Sequence, residues 1–157
     1  MDDQAFQLEA IRQTLDDIGS AIGSLCDYLD LGHPNEQQER DTHARIAEYR
    51  REESEARARY DELLARLRAS APEVVEEWAR WHIGFCGRII AETADAKPQP
   101  NGYVSDAQVS NYVARETLKE WQQVLAGTQD FVWINSYFLW QYRKDVVAAV
   151  VDWRGKT

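Results

Sequence analysis

Leu8-Glu9-Ala10-Ile11-Arg12-Gln13-Thr14-Leu15-Asp16-Asp17-Ile18-Gly19-Ser20-Ala21-Ile22-Gly23-Ser24-Leu25-Cys26-Asp27-Tyr28-Leu29 is the stretch that decides the fold. Its apolar residues Leu8, Ile11, Leu15, Ile18, Ile22, Leu25 and Leu29 are spaced alternately by 3 and 4, which a helix turns into one continuous seam. A seam kept up for three heptads needs a partner helix of similar length. The pattern predicts a helix over 3–31, with Gly32 as its left-handed closing residue and Pro34 as the stop.

That partner follows directly. Asn35 is a good N-cap for a second helix running to about residue 69, with a seam of Ile46, Tyr49, Ala56, Tyr60, Leu63 and Leu67 interrupted by Glu53. Glu36–Arg40, Asp41–Arg45, Glu53–Arg57, Glu55–Arg59 and Glu62–Arg66 place an acid four residues before an Arg. Each such pair supports the helix by ~0.2–0.5 kcal/mol. Ser70 and Glu73 then suggest a capping box around Pro72, opening a third helix to about residue 94 through Val74, Val75, Trp78, Trp81, His82, Phe85, Ile89 and Ile90. Gly84 and Gly87 inside it suggest close approach of another helix, and Gly19 and Gly23 suggest a helix crossing.

Residues 96–105 form a Pro/Gly-rich loop, and Ser105 with Gln108 caps a fourth helix that Gly127 ends. Residues 130–154 are aromatic and β-branched but lack a hairpin turn, and Val146, Val147, Val150 and Val151 recur at helical spacing, so a fifth helix is expected. The fold class is therefore all-α, an up-down helical bundle of about five helices in a single domain, 1–157. Residues 1–70 make a long antiparallel hairpin and 71–157 an aromatic-rich core. A seam of this length also makes a homo-oligomer an expectation.

The chain has 157 residues, 44% apolar and 29% charged, with a net charge of −9. That composition fits neither disorder nor a membrane protein. Direct nucleic-acid binding is not expected, because no surplus of positive charge exists to displace phosphate counterions. The N-terminus, Met1-Asp2-Asp3-Gln4, lacks the basic and apolar regions of a secretory signal, so a cytoplasmic protein with two reduced thiols, Cys26 and Cys86, is expected.

The histidines, His33, His43 and His82, show no metal-site spacing, and His82 between Trp81 and Phe85 reads as a core residue. Cys86 lies four residues from His82 but has no third group to complete a nucleophilic site. No phosphate-cradling glycine loop occurs, and no cofactor is called for. The carboxylate pairs Glu52-x-x-Glu55, Glu73-x-x-Glu76 and Glu92-x-x-Asp95 resemble the ExxE and ExxD elements with which all-α nucleotide pyrophosphohydrolases hold Mg²⁺. If the second and third helices fold back on each other, Glu48, Glu52, Glu92 and Asp95 approach one another. That resemblance implies an Mg²⁺-dependent nucleotide hydrolase as an alternative function.

The stronger feature is charge placement. Residues 1–36 carry Asp2, Asp3, Glu9, Asp16, Asp17, Asp27, Asp30 and Glu36 against one Lys or Arg, Arg12. Taking Leu8, Leu15, Ile22 and Leu29 as one seam column, Asp2, Glu9, Asp16 and Asp30 fall in the next column and Asp3 and Asp17 in the one beyond. The acids should form a stripe on the outer side of the first helix. The expected function is a non-enzymatic protein-binding protein, such as a bacterial immunity protein or inhibitor masking a basic surface of a toxin or nuclease. Asp2, Glu9, Asp16, Asp17, Asp27 and Asp30 are its partner-binding candidates, with Trp133 and Trp140 as an aromatic docking surface. A structural or assembly subunit of a phage or secretion system is a third possibility.

Overall fold

The computed structural model describes residues 2–133, which form four helices: α1 (Asp3–Leu31), α2 (Glu36–Ser70), α3 (Pro72–Glu92) and α4 (Asp106–Ala126). α1 with α2 and α3 with α4 make two antiparallel hairpins that pack into a bundle. Residues 130–133 are not helical, so the fifth helix does not begin where the sequence suggested. The rest of that segment, Trp140 included, lies outside the described residues.

The helix ends show which local signals hold. Asn35 and Gln38 form a complete capping box at α2, and Ser105 and Gln108 form one at α4. Gly127 closes α4 in the left-handed region at φ 79°. The box expected at Ser70 does not form. Ser70 belongs to the last turn of α2, where its hydroxyl donates to the Arg66 carbonyl, and Ala71 alone joins α2 to α3. Gly32 is not left-handed either; that role falls to His33 at φ 49°. Glycine is required at 32 because a Cβ there would sit 2.6 Å from both the ring and the carbonyl of Tyr28.

At 1.5 Å per residue, α2 is ~52 Å long and α3 and α4 ~31 Å each. Because α3 folds back from the end of α2, it reaches only the proximal part of the first hairpin. Burial follows this mismatch. Every buried residue of α1 lies at or before Ile18, and α2 buries Thr42 and Ile46 in its first half but Ala56, Tyr60, Leu63, Leu64 and Leu67 in its second. The distal halves of α1 and α2 thus form a two-helix arm. The core joins Leu8, Leu15, Tyr60, Leu64 and Leu67 to Val75, Trp78, Trp121, Val124, Phe131 and Val132.

Gly84 and Gly87 face solvent, and nothing from another element comes within 4 Å of the position a Cβ would take, contrary to the helix approach expected there. Gly19 is approached closely, but by the Trp133 ring at 3.2 Å from its Cβ position rather than by a helix. Leu67→Ala should cost ~2–5 kcal/mol by opening a cavity at the junction of both hairpins. Leu31→Ala, at a site 76% exposed, should stay within ~0.5 kcal/mol. Urea unfolding midpoints of the two variants check the contrast.

Candidate functional site

A cluster of ionisable side chains, Glu9, Arg12, Asp16 and His82, is buried. On α1, Ala5, Glu9, Arg12 and Asp16 recur at spacings of 4, 3 and 4, making a second seam beside the leucine seam. The leucine seam packs on α2, and the second one faces α3 and the 131–133 segment. Glu9 and Asp16 are each only 1% exposed, so they are not part of an outward acidic stripe. A single-seam assignment puts them outside because it allows α1 one neighbour, whereas its proximal half has two.

Their burial is compensated by dense pairing. The Arg12 guanidinium donates to Glu9 through Nη2 at 2.6 Å and Nε at 3.1 Å, and through Nη1 to Asp16 at 2.8 Å and the Val132 carbonyl at 3.2 Å. Glu9 Oε2 also accepts from Trp78 Nε1 at 2.7 Å and meets His82 Nε2 at 2.7 Å. Burial by itself raises the Glu9 carboxyl, but Arg12 and His82 together outweigh it and hold the group well below the usual carboxylate range. Burial likewise opposes the Arg12 charge, and Glu9 and Asp16 secure it. His82 goes the other way: burial lowers it, Glu9 pulls against that shift, and Arg12 adds to it. A neutral imidazole facing a carboxylate carries its proton on Nε2.

Aromatic rings close the cluster. The His82 ring stacks flat on Trp121 at 3.8 Å, and Trp78 meets Trp121 edge-on at 4.8 Å. Trp121 Nε1 is buried with no hydrogen-bond partner among the described residues, at a cost of ~1–3 kcal/mol. Below the cluster, Tyr60 donates its hydroxyl to the Asp130 carbonyl, while Arg68 bonds the Gln129 carbonyl at 2.9 Å and the Asp130 carboxylate. Three side chains from the first hairpin therefore tie down the chain leaving α4.

The remaining candidates are dispersed. Asp2, Asp17, Asp27 and Asp30 are exposed, and Asp2 caps α1 through the Gln4 amide at 2.7 Å. Trp133 is 41% exposed and walls a groove of about 450 Å³ with Leu15, Arg50, Glu53 and Arg57. Glu48 and Glu52 line a second groove on α2, and Glu92 lies 3.9 Å from Arg88 on α3. Among the described residues no three His, Cys, Asp or Glu side chains are placed to hold a metal ion, so Glu48, Glu52, Glu92 and Asp95 are not brought into one cage. Neither groove reaches Glu9, Arg12 or His82.

No helix among the described residues is long and apolar enough to cross a membrane. No protein-family model matches the chain, and neither a curated protein nor a solved structure matches it.

Arg12→Met strips Glu9 of its buried counter-ion and should cost ~3–5 kcal/mol. Adding Glu9→Gln should recover part of that loss, giving a coupling energy of ~1 kcal/mol or more in a double-mutant cycle read by chemical denaturation. Strict additivity would show that the two side chains do not act as a pair. The thiols should differ as well. Burial pushes Cys86 up to about 12, while Cys26 is partly exposed. A thiol-specific chromogenic reagent near neutral pH should label Cys26 in the folded protein and Cys86 only after denaturation.

Proposed function

We propose that this chain is a non-enzymatic binding protein that docks a basic protein surface, as an immunity protein or inhibitor of a toxin or nuclease would. The supporting observation is the distal end of the α1–α2 arm. No Lys or Arg occurs between Arg12 and Arg40; at the distal end Asp27, Asp30 and Glu36 are exposed, and Asp17 is exposed further back along α1. Tyr28 and Leu31 are exposed among them, at 37% and 76%. An acidic rim around an apolar anchor suits recognition in which charge steers the encounter and the anchor slows release. Glu9 and Asp16 have no part in this surface, which is narrower than the full set of α1 acids.

The test is a comparison. A partner captured by the parent chain should be lost or weakened when Asp17, Asp27 and Asp30 are all changed to Lys, with the association rate falling about tenfold or more at low salt. Raising the ionic strength from about 0.05 to 0.5 M should slow the parent's association and leave the variant's nearly unchanged. A triple variant that associates as fast as the parent would rule out the arm as the docking surface.

A further inference from the structure

The second seam of α1 continues beyond the elements that cover it. Ala5, Glu9, Arg12 and Asp16 are followed by Gly19, Gly23, Cys26 and Asp30, with spacings of 3 and 4 kept to the end of the helix. The first four face α3 and the 131–133 segment, and the Trp133 ring lies 3.2 Å from the Cβ position of Gly19. Past that ring the line is open. Gly23 is exposed, with nothing among the described residues within 4 Å of its Cβ position, and Cys26 is half-buried. The helix crossing that Gly23 suggested therefore has no partner among the described residues.

Charge along this side of the α1–α2 arm is sorted by position. Asp27 and Asp30 stand near the tip, exposed and without an ion pair among the described residues. At the base, Arg50 lines the groove walled by Leu15 and Trp133. Arg50 and the adjacent Arg51 are also exposed and without an ion pair among the described residues. Within the groove Asp61 lies 3.2 Å from Arg57, and Glu53 is half-buried. Asp16, one residue past Leu15, is buried against Arg12. Leu15 and Arg50 share the groove and so mark one level of the arm. Asp30 lies 15 residues further along α1, ~22 Å away, and the midpoint of that span falls between Ile22 and Gly23.

We propose that a second copy of the chain covers this face: two arms lie side by side and antiparallel about a twofold axis near Gly23, with each copy's Asp27 and Asp30 at the Arg50 end of the other's groove. A twofold axis at the midpoint of the Leu15–Asp30 span exchanges its two ends, so both acid–arginine contacts form together. The axis passes where α1 carries no side chain, which lets the two helices approach closely. An overlap of ~22 Å by two helix widths of ~10 Å covers ~450 Å² of each copy. That is smaller than a standard stable interface, so the dimer exchanges with monomer instead of being obligate. Tyr28 and Leu31 lie off the seam line. The pairing therefore does not rest on the tip being a docking surface, although Asp27 and Asp30 belong to both.

Sedimentation equilibrium of the purified full chain, from about 5 to about 500 μM at low salt, reads the association directly. A reversible monomer–dimer equilibrium is expected, weakened about threefold or more when the salt is raised to about 0.5 M. Gly23→Leu should abolish it: the larger side chain blocks the approach, while leucine favours the helix over glycine and leaves the monomer folded. Asp30→Arg and Arg50→Glu, both at exposed sites, should each weaken the dimer about threefold or more, and the two changes in one chain should restore it. A chain that stays monomeric at about 500 μM overturns the pairing and leaves the tip as a docking surface for a basic partner untouched. A dimer indifferent to Gly23→Leu, or charge reversals whose combination restores nothing, also overturns it, because the contact then lies elsewhere on the molecule.

Discussion

The buried Glu9–Arg12 pair is the constraint to which the rest of the structure conforms. A carboxylate and a guanidinium taken out of water lose several kcal/mol of hydration each, and their attraction offsets this only if the remaining lone pairs and N–H groups are also satisfied. Glu9 meets that condition by drawing on its own helix through Arg12 and Gln13, and on α3 through Trp78 and His82. Arg12 meets it by adding Asp16 and the Val132 carbonyl. The pair therefore fixes the rotation of α1, the facing side of α3 and the path of the chain beyond α4 at once. An apolar core of similar volume would tolerate small slides between these elements, whereas a network of directional bonds does not.

Much of the architecture was legible in the sequence because it is written in local terms. Leu8, Leu15 and Ile18 of the seam are buried, Asn35 and Ser105 cap their helices and Gly127 closes α4 as expected, whereas Ile22, Leu25 and Leu29 further along the seam are only partly buried. The errors arose where a residue's role depends on a neighbour distant in sequence or on a contact that spacing does not reveal. Ser70 bonds backward into α2 rather than forward into α3, and Gly32 is set by contact with Tyr28 rather than by its own dihedral. The candidate site failed most clearly at Glu9 and Asp16. A heptad assignment has one inward seam, and two acids beside it are placed outside by default. The clue was present in Arg12, the one strong base in 36 residues, three positions after Glu9 and four before Asp16. Its meaning emerges only when Trp78 and His82, spaced one turn apart on another helix, are brought opposite.

The chain between α4 and Trp133 shows how irregular backbone is accommodated in a helical protein. Phe131 and Val132 are buried, and carbonyls of a non-helical segment in that position have no helical partner. Side chains substitute for the missing ladder: Arg12, Tyr60 and Arg68 reach the carbonyls of Val132, Asp130 and Gln129, and Gln129 reaches that of Phe131. Phe131 meets the Tyr60 ring at 5.2 Å and lies beneath the Arg57 guanidinium at 4.8 Å, so the same helix face supplies both bonding and packing.

The shared acceptor on Glu9 also limits how this protein can diverge. An uncompensated charge in the core is so unfavourable that positions 9 and 12 cannot drift one at a time. A lineage that loses the glutamate must lose the arginine nearly in step. Distant relatives should accordingly carry both Glu9 and Arg12 or neither. The packing of three elements on a single carboxylate leaves, in this sense, a pattern of joint inheritance across the family tree.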